Sequence, residues 1–324
     1  MPFLRYLLRR GLFALLLIVV VSSSALLLTL AAPGDVMIDD ELNPDQAALQ
    51  QRRAELGLDR PLAMQYAAWL VRALRFDFGE SILYRRPVNH LLGERAINTA
   101  VLASAALLIA TLVGIPLGVY SGTRRKGVLA RAIRTLSVLL LSLPPLLASL
   151  ALVVLAARTG WLPLGGMVSA TSTGAPTSVW LWDLLRHIPL PALALALPLA
   201  AMLERLQSQA ISEAAGEPYV QAAQARGLSR DHALLKHGWR VSLGAVLGLY
   251  GLMIGSLFSG SFAVEIVTAW PGLGRLMIEA LRARDLYLVA GCGAAGALFL
   301  AMGTFLSDLL LAIADPRARL GART

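Results

Sequence analysis

Six stretches of this sequence are apolar over close to the 20 residues that an α-helix needs to cross a lipid bilayer. The bilayer core offers no water to backbone amides, so each crossing segment must satisfy its hydrogen bonds within a helix. The composition agrees, because 57% of the residues are hydrophobic and only 15% are charged, against about a quarter in a soluble domain. We therefore predict an all-α polytopic membrane protein with six transmembrane helices. They are placed at residues 11–32, 97–120, 133–157, 187–203, 241–264 and 286–314.

The first apolar stretch follows Arg5, Arg9 and Arg10, and a basic start before an apolar core is also typical of a signal peptide. The apolar run is longer than the usual signal-peptide core, and Pro33-Gly34 is a poor cleavage site. We interpret the stretch as a retained first transmembrane helix.

The short loops carry their basic residues on one side of the predicted membrane. Residues 121–136 include five basic side chains and no acid, and residues 204–240 and 315–324 are also rich in arginine. Residues 158–186, between the third and fourth spans, hold only two arginines and one aspartate. Because basic loops stay in the cytoplasm, both termini are predicted to be cytoplasmic.

The net charge of +9 would suggest a nucleic-acid partner in a soluble protein. In a membrane protein the basic cytoplasmic loops account for it, so we expect membrane lipid and no nucleic acid as a partner. Cys292 is the only cysteine and cannot form an internal disulfide, so cysteine usage carries no information on the compartment.

The segment between the first two spans, residues 33–95, has a soluble balance of eight basic and ten acidic residues. Leu62, Tyr66, Trp69 and Leu70 recur at helical spacing within it. We predict a small extracytoplasmic subdomain, in which this helix either caps the bundle or only covers its surface. The predicted organisation is a tail and first helix (1–32), this subdomain (33–95) and a five-helix membrane core (96–324) with a cytoplasmic loop at 206–238.

Two spans carry glycines at intervals of three or four residues, which let helix backbones approach closely in lipid. The second span has them at Gly114, Gly118 and Gly122, and the fifth at 244, 248, 251 and 255. They fit either packing within the bundle or contact with a second membrane subunit.

Several kinds of chemistry are absent from the sequence. No phosphate-binding loop, zinc-binding HExxH or nucleophile elbow occurs, so nucleotide hydrolysis, a metal site and an intramembrane enzyme are all disfavoured. Asp308 is the one clear charge within a predicted span, and it fits either an ion pair with an arginine at a helix end or a functional role. A proton relay would need a second buried acid or histidine, which the predicted spans lack, so a stand-alone secondary transporter is the weaker alternative.

Residues 212–237 differ from the rest of the chain. Pro218 suits the first turn of a short alanine-rich helix at residues 219–226, and Gly227 suits a left-handed position that ends it. Ser229 is a favoured N-cap residue for a second short helix that reaches about His237. We predict a helix, a glycine turn and a helix on the cytoplasmic side.

This segment resembles the cytoplasmic loop of ATP-binding-cassette importer permeases, in which glutamate-alanine-alanine is followed by three residues and a glycine. Gln221-Ala222-Ala223 and Gly227 stand in that register, whereas Glu213-Ala214-Ala215 has Tyr219 in place of the glycine. With glutamine in place of the motif's glutamate, the segment is similar to the dipeptide/oligopeptide/nickel subfamily, in which that glutamate is commonly replaced. The resemblance implies an ATPase-coupling loop formed by Tyr219, Val220, Gln221, Ala222, Ala223, Ala225, Arg226, Gly227, Leu228 and Ser229.

Matches to the B-type permease subunit of that subfamily run in order along nearly the whole chain. They lie at residues 56–70, 76–82, 85–88, 94–100, 142–144, 161–166, 265–276, 280, 284–285 and 315–317.

The resemblance implies one of two unlike permease subunits in a bacterial cytoplasmic (inner) membrane, with two cytoplasmic ATPases and an extracytoplasmic substrate-binding protein as partners. It implies no cofactor in this chain, because ATP and Mg²⁺ would be bound by the ATPases. Peptides are the expected substrate, and relatives that handle glutathione, nickel chelates or sugars keep the substrate class open. Prolines in the spans permit bent helices. They either are simple kinks or line the transport pathway, and the candidate positions are Ser142, Pro144, Pro145 and Pro198.

Overall fold

The computed structural model describes residues 2–31, 61–124, 127–172 and 174–314. The described part is helical, apart from an isolated bridge between Glu80 and Pro87, turns and a short 3₁₀ helix, Ala170–Ser172. The α-helices in chain order are α1 (Pro2–Ala31), α2 (Leu62–Ala73), α3 (Val88–Thr123), α4 (Val128–Leu141), α5 (Pro145–Thr159), α6 (Thr177–His187), α7 (Pro189–Ala214), α8 (Pro218–Ala225), α9 (Arg230–Ala233), α10 (Trp239–Leu247), α11 (Tyr250–Val267), α12 (Leu273–Arg282) and α13 (Leu286–Ala314).

The predicted all-α polytopic fold is confirmed. Within the described residues, five helices are long and apolar enough to cross a membrane, namely α1 over Gly11–Thr29, α3, α7, α11 and α13 over Leu286–Leu306. The pair α4 and α5 passes the same test together but bends by 106°, and counting the pair as one span gives the six that were predicted.

The bend in the third span has a clear cause. α4 ends at Leu141, and Pro144 then adopts an extended backbone with ψ 141°. A residue before a proline is disfavoured in the helical region, so the adjacent prolines end one helix and begin the next. The continuous apolar run therefore folds as two helices.

Helix ends differ from the ends of the apolar stretches. α3 begins at Val88 rather than near Ile97, and α7 continues to Ala214, well past Leu203. The fifth stretch is broken between Leu247 and Tyr250. Hydropathy marks the part of a helix that faces lipid, and the backbone can stay helical in water beyond it.

The chain forms two compact units, Met1–Asn98 with Gly272–Phe299 and Thr99–Pro271 with Leu300–Thr324. In the second unit, α7 is the central helix and contacts α4, α5, α6, α10 and α11. The buried residues of α7 include Ala196, Leu199 and Leu203, and they form one apolar core with residues of these neighbours.

The glycines of α3 pack inside the second unit, against the backbone of α7. A Cβ atom added at Gly118 would lie 2.6 Å from Cβ of Gln207 and 2.7 Å from the carbonyl oxygen of Glu204. Gly114 faces the backbone of Ala200 in the same way, and Gly122 that of Ser208. Of the two interpretations of this stripe, the structure therefore shows packing within the bundle.

The glycines of the fifth stretch do not behave alike. A Cβ atom at Gly255 would lie 2.6 Å from Cδ1 of Leu300, whereas one at Gly244 would meet nothing within 4 Å. The Leu300 side chain can turn away, so neither position shows the backbone contact that Gly118 makes.

In the first unit, a buried aspartate joins two segments that are far apart in sequence. Asp285 Oδ2 accepts hydrogen bonds from Ser81 Oγ at 2.6 Å and from the amide of Leu83 at 3.0 Å. Its Oδ1 accepts from the amide of Leu288 at 3.1 Å, which caps the start of α13. These two segments, about 200 residues apart in sequence, therefore form one folded cluster.

We predict that Gly118→Ala destabilises the chain by about 1–3 kcal/mol, because the methyl group would push α3 away from α7. The measurement is the midpoint of thermal unfolding of the purified chain in detergent. Gly244→Ala is the matched control, since the added methyl group has free space. Equal midpoints for the two variants would contradict the backbone contact.

Candidate functional site

The short helix α8 has defined signals at both ends. Glu217 is extended, and Pro218 follows as the first helical residue, where its missing amide proton costs no hydrogen bond. Gly227 has φ +93°, and its amide bonds to the carbonyl of Gln224 at 2.9 Å. The amide of Leu228 bonds to the carbonyl of Ala223 at 3.2 Å, which completes a Schellman motif. The predicted helix and its left-handed glycine are confirmed.

The second short helix departs from the prediction in two ways. Ser229 stands at the N-cap position with an extended backbone, but its hydroxyl makes no capping hydrogen bond. α9 does not end near His237, because it continues as a π-helix, Leu234–Gly238, directly into α10. π-helical turns are rare and occur often at functional sites.

The two short helices pack on each other through four buried side chains. Val220 and Ala223 of α8 lie against Ala233 and Leu234, with Leu228 partly buried beside them. We call residues 218–238 the helix-pair element. Its small apolar core fixes the angle between the helices, so the element can move as one body.

The outer face of α8 is exposed, and two alanines lie on it between two larger side chains. Tyr219, Ala222, Ala225 and Arg226 lie on it, and Arg226 Nε donates to the carbonyl of Ala222 at 3.3 Å. Partial burial, followed by the charge of Glu217, raises the pKa of Tyr219, so this hydroxyl stays neutral at physiological pH. At the two alanines of this face, a groove on another protein can approach the helix backbone closely.

Gln221 has a role that a glutamate could not fill. Its Nε2 donates a hydrogen bond of 3.0 Å to the carbonyl of Gly216, in the turn before α8. An ionised carboxylate has no proton to donate. The amide at this position therefore ties the start of the helix-pair element to the end of α7.

A buried polar cluster lies close to the helix-pair element, where α3, α7 and α10 meet. Glu204 and Gln207 of α7 are 1% and 0% exposed. Glu204 Oε1 accepts a short hydrogen bond from the Ser121 hydroxyl of α3. Gln207 Nε2 donates to Ser242 Oγ of α10 at 2.7 Å. Hydrogen bonds between buried polar groups hold these three helices in one register.

This cluster corrects the sequence analysis, which found no second acid or histidine buried in the spans. Glu204 is buried, and so is Glu265, whose Oε1 accepts a hydrogen bond from Thr99 Oγ1 at 2.7 Å. His187, the first residue of the fourth predicted span, is buried as well. Each acid directly follows the end of a predicted apolar stretch and so was placed outside it. The spacing of Ala200, Glu204 and Gln207 on one face of α7 was the available signal.

Comparisons with known proteins agree with this architecture. Residues 114–320 match the family described as binding-protein-dependent transport system inner membrane component, and residues 3–81 match its N-terminal companion. The chain belongs to this family. It is 33% identical over 322 residues to the oligopeptide transport system permease protein OppB of Mycobacterium tuberculosis (strain ATCC 25618 / H37Rv), covering 97% of this chain and 99% of that protein.

Two further relatives span the same length. A Brucella suis biovar 1 (strain 1330) protein named as a peptide permease is 35% identical over 323 residues, with 98% of this chain and 99% of that protein covered. The oligopeptide transport system permease protein AppB of Bacillus subtilis (strain 168) is 32% identical over 317 residues, with 96% and 98% covered.

The chain is thus the permease component of an ATP-binding-cassette importer and a multi-pass inner membrane protein. It is a transport protein rather than an enzyme, and its family works with ATPase and substrate-binding partners. Membership decides against the stand-alone secondary transporter and the intramembrane enzyme.

The permease places its predicted pathway residues on two elements. Ser142 and Pro144 are exposed in the break between α4 and α5, and Ser142 Oγ donates to the carbonyl of Leu139 at 2.7 Å. Pro198 lies inside α7 without ending it. A Cβ atom at Gly260 of α11 would contact both Pro145 and Leu195, at 3.6 and 3.5 Å, so Pro145 lies close to α7 and α11. Asp308 belongs to the backbone of α13, but its side chain lies outside the described residues.

We predict that Gly227→Ala destabilises the Schellman turn by about 1–2 kcal/mol, because a side chain strains a left-handed backbone. This corresponds to roughly a 5- to 30-fold increase in local opening. The measurement is the rate of tryptic cleavage after Arg226 and Arg230.

Gly216→Ala is the matched control at the other end of α8, where φ is not positive and a Cβ atom would make an ordinary contact at 3.6 Å. Equal cleavage rates in the two variants would show that the turn does not depend on glycine.

Proposed function

We propose that this chain is one of two unlike permease subunits that form a peptide translocation pathway, and that the helix-pair element docks on a cytoplasmic ATPase. The observation that carries the coupling role is the compact helix pair itself, with a small exposed face and a direct connection to two bundle helices. Support for peptides as substrate comes from the names of OppB and AppB, which are oligopeptide permeases.

The contacts of the element supply a route for mechanical coupling. α7 enters it and α10 leaves it, and Gln207 bonded to Ser242 holds these two helices together. Glu204 and the glycines of α3 attach a third helix. A displacement of the element by the ATPase would therefore move parts of α3, α7 and α10 together.

The breaks in the bundle are the natural places for that movement to be absorbed. One lies at residues 142–144, between α4 and α5, and the other at residues 248–249, between α10 and α11. At the first break Pro144 has no amide proton to donate, and at the second the amide of Leu249 bonds to the carbonyl of Val246, three residues back rather than four, so the regular helical pattern changes at both. In the proposed mechanism, nucleotide state biases the bundle between an inward-open and an outward-open packing, and Ser142, Pro144, Pro145 and Pro198 border the pathway.

The proposed orientation places both termini and the helix-pair element in the cytoplasm. Support comes from the basic residues of the short loops on that side. The proposed assembly has a second homologous permease subunit, two ATPases, an extracytoplasmic substrate-binding protein and surrounding lipid. Its ATP and Mg²⁺ are bound by the ATPases and not by this chain.

We predict that Ala222→Trp abolishes co-purification of the ATPase and ATP-driven uptake while the chain still inserts, because the indole would prevent close docking of α8. Gln209→Trp is the matched control, since Gln209 is exposed on α7, outside the helix-pair element. The measurement is the amount of ATPase retained by the tagged chain from membranes that express all subunits. Retention at the parental level by the Ala222 variant would refute docking through this face.

A second prediction concerns the energy source. The purified chain, free of partners, should hydrolyse no ATP, and vesicles with the complete assembly should accumulate peptide only when ATP is enclosed on the cytoplasmic side. The measurements are phosphate release and uptake of a labelled oligopeptide, with and without an ion gradient. Hydrolysis by the isolated chain would overturn the proposed division of labour.

A further inference from the structure

α2 has an apolar surface on both of its faces. Gln65, Tyr66 and Arg72 are its only residues with polar side chains besides Trp69, whose ring is 1% exposed. The outward face carries Met64, Ala67, Ala68 and Val71 at spacings of three and four residues, and Met64 and Val71 are 61% and 55% exposed. A helix that is apolar all round is typical of a core or of a membrane.

The inward face fixes the depth of α2 along the first transmembrane helix. Tyr66 Oη donates a hydrogen bond of 3.1 Å to Ser23 Oγ of α1. Ser23 lies six residues before the end of the apolar span Gly11–Thr29, which is about 9 Å along a helix. The Tyr66 hydroxyl is therefore inside the bilayer boundary and not above it.

A second helix gives the same depth independently. A Cβ atom at Gly293 of α13 would lie 3.4 Å from Cβ of Ala25, which is two residues after Ser23 in α1 and on another face of that helix. Gly293 lies seven residues after Leu286, where α13 begins, or about 10 Å along the helix. The positions along α1 and along α13 thus both place Ser23 and Ala25 within the membrane.

The end of α2 marks the water boundary. The guanidinium of Arg72 lies 5.3 Å from the ring centroid of Tyr287, one residue after the start of α13. Arg75 and Asp77 follow and are exposed. The helix therefore runs from the bilayer boundary at Arg72 to about 9 Å below it at Tyr66, and amphipathic helices bury their apolar faces at about that depth.

We propose that α2 is a lipid-embedded helix whose outward face contacts acyl chains of one leaflet, the extracytoplasmic one in the proposed orientation. The occupant is lipid because Tyr66 sets α2 at the depth of the apolar span of α1, whose Leu27 and Leu28 are likewise exposed within two turns of Ser23. The face carries no charge and no aromatic side chain to serve as an anchor for a protein partner. The helix thus belongs to the membrane part of the chain and not to a water-exposed cap.

The test measures spin-label accessibility in the full chain, reconstituted in lipid nanodiscs. Single cysteines are introduced by Ala67→Cys, Ala68→Cys and Val71→Cys, with Leu28→Cys as the lipid reference and Asp77→Cys as the water reference. Cys292 is buried and is kept, and labelling of the parent chain gives its background. Only variants with the parental unfolding midpoint are compared.

At the α2 positions we expect relaxation by oxygen, which partitions into lipid, to exceed relaxation by a water-soluble nickel chelate severalfold, as at Leu28. The opposite ratio is expected at Asp77. Strong relaxation by the nickel chelate at two α2 positions would show a water-exposed helix and overturn the proposal. Protection from both reagents would show a protein-covered face and would also overturn it. The result does not depend on ATPase docking, so the two proposals can fail separately.

Discussion

Close contact between the backbones of α3 and α7 is the interaction on which the second unit depends. A Cβ atom at Gly118 would lie 2.6 Å from Cβ of Gln207, so any other residue type would displace one helix from the other. This proximity lets Ser121 reach the carboxylate of Glu204 across the helix interface. In lipid, where apolar surface gives helices little reason to associate, close packing and such hydrogen bonds provide much of the stabilisation. The glycine stripe of α3 and the buried Glu204 therefore stabilise the same contact between α3 and α7.

The same cluster relates the bundle to the helix-pair element. Gln207 lies one turn beyond Glu204 and bonds to Ser242, so α10 is tied to the helix that precedes the element in sequence. The element itself has only four fully buried apolar residues, and two of them are alanines. Its stability must come largely from the defined turns at its ends and from the helices that flank it. A transmission element with these properties can be small, because its rigidity comes from its connections.

Much of this architecture was predictable from the sequence, and the exceptions share a physical origin. Apolar length located the spans, and Pro218 in the first turn of α8 and Gly227 after its end located the two ends of that helix, because these signals act within a few residues. The burial of Glu204 and Glu265 was not predictable, because it depends on Ser121 and Thr99, which lie far away in sequence. The 106° bend was foreseen only as an interruption, since two prolines stop a helix but do not determine the direction of the next. The role of the α3 glycines also depended on knowing which helix lies opposite.

The π-helix Leu234–Gly238 has a geometric consequence for the orientation of the helix-pair element. A π-turn bridges five residues where an α-turn bridges four, so it accommodates one additional residue. Each residue of an α-helix advances the azimuth of the side chains by about 100°. Side chains on the two flanks of this segment are therefore out of phase by roughly that angle, relative to an uninterrupted α-helix. Because α8 is packed on α9, the one additional residue between α9 and α10 rotates the whole helix-pair element relative to α10.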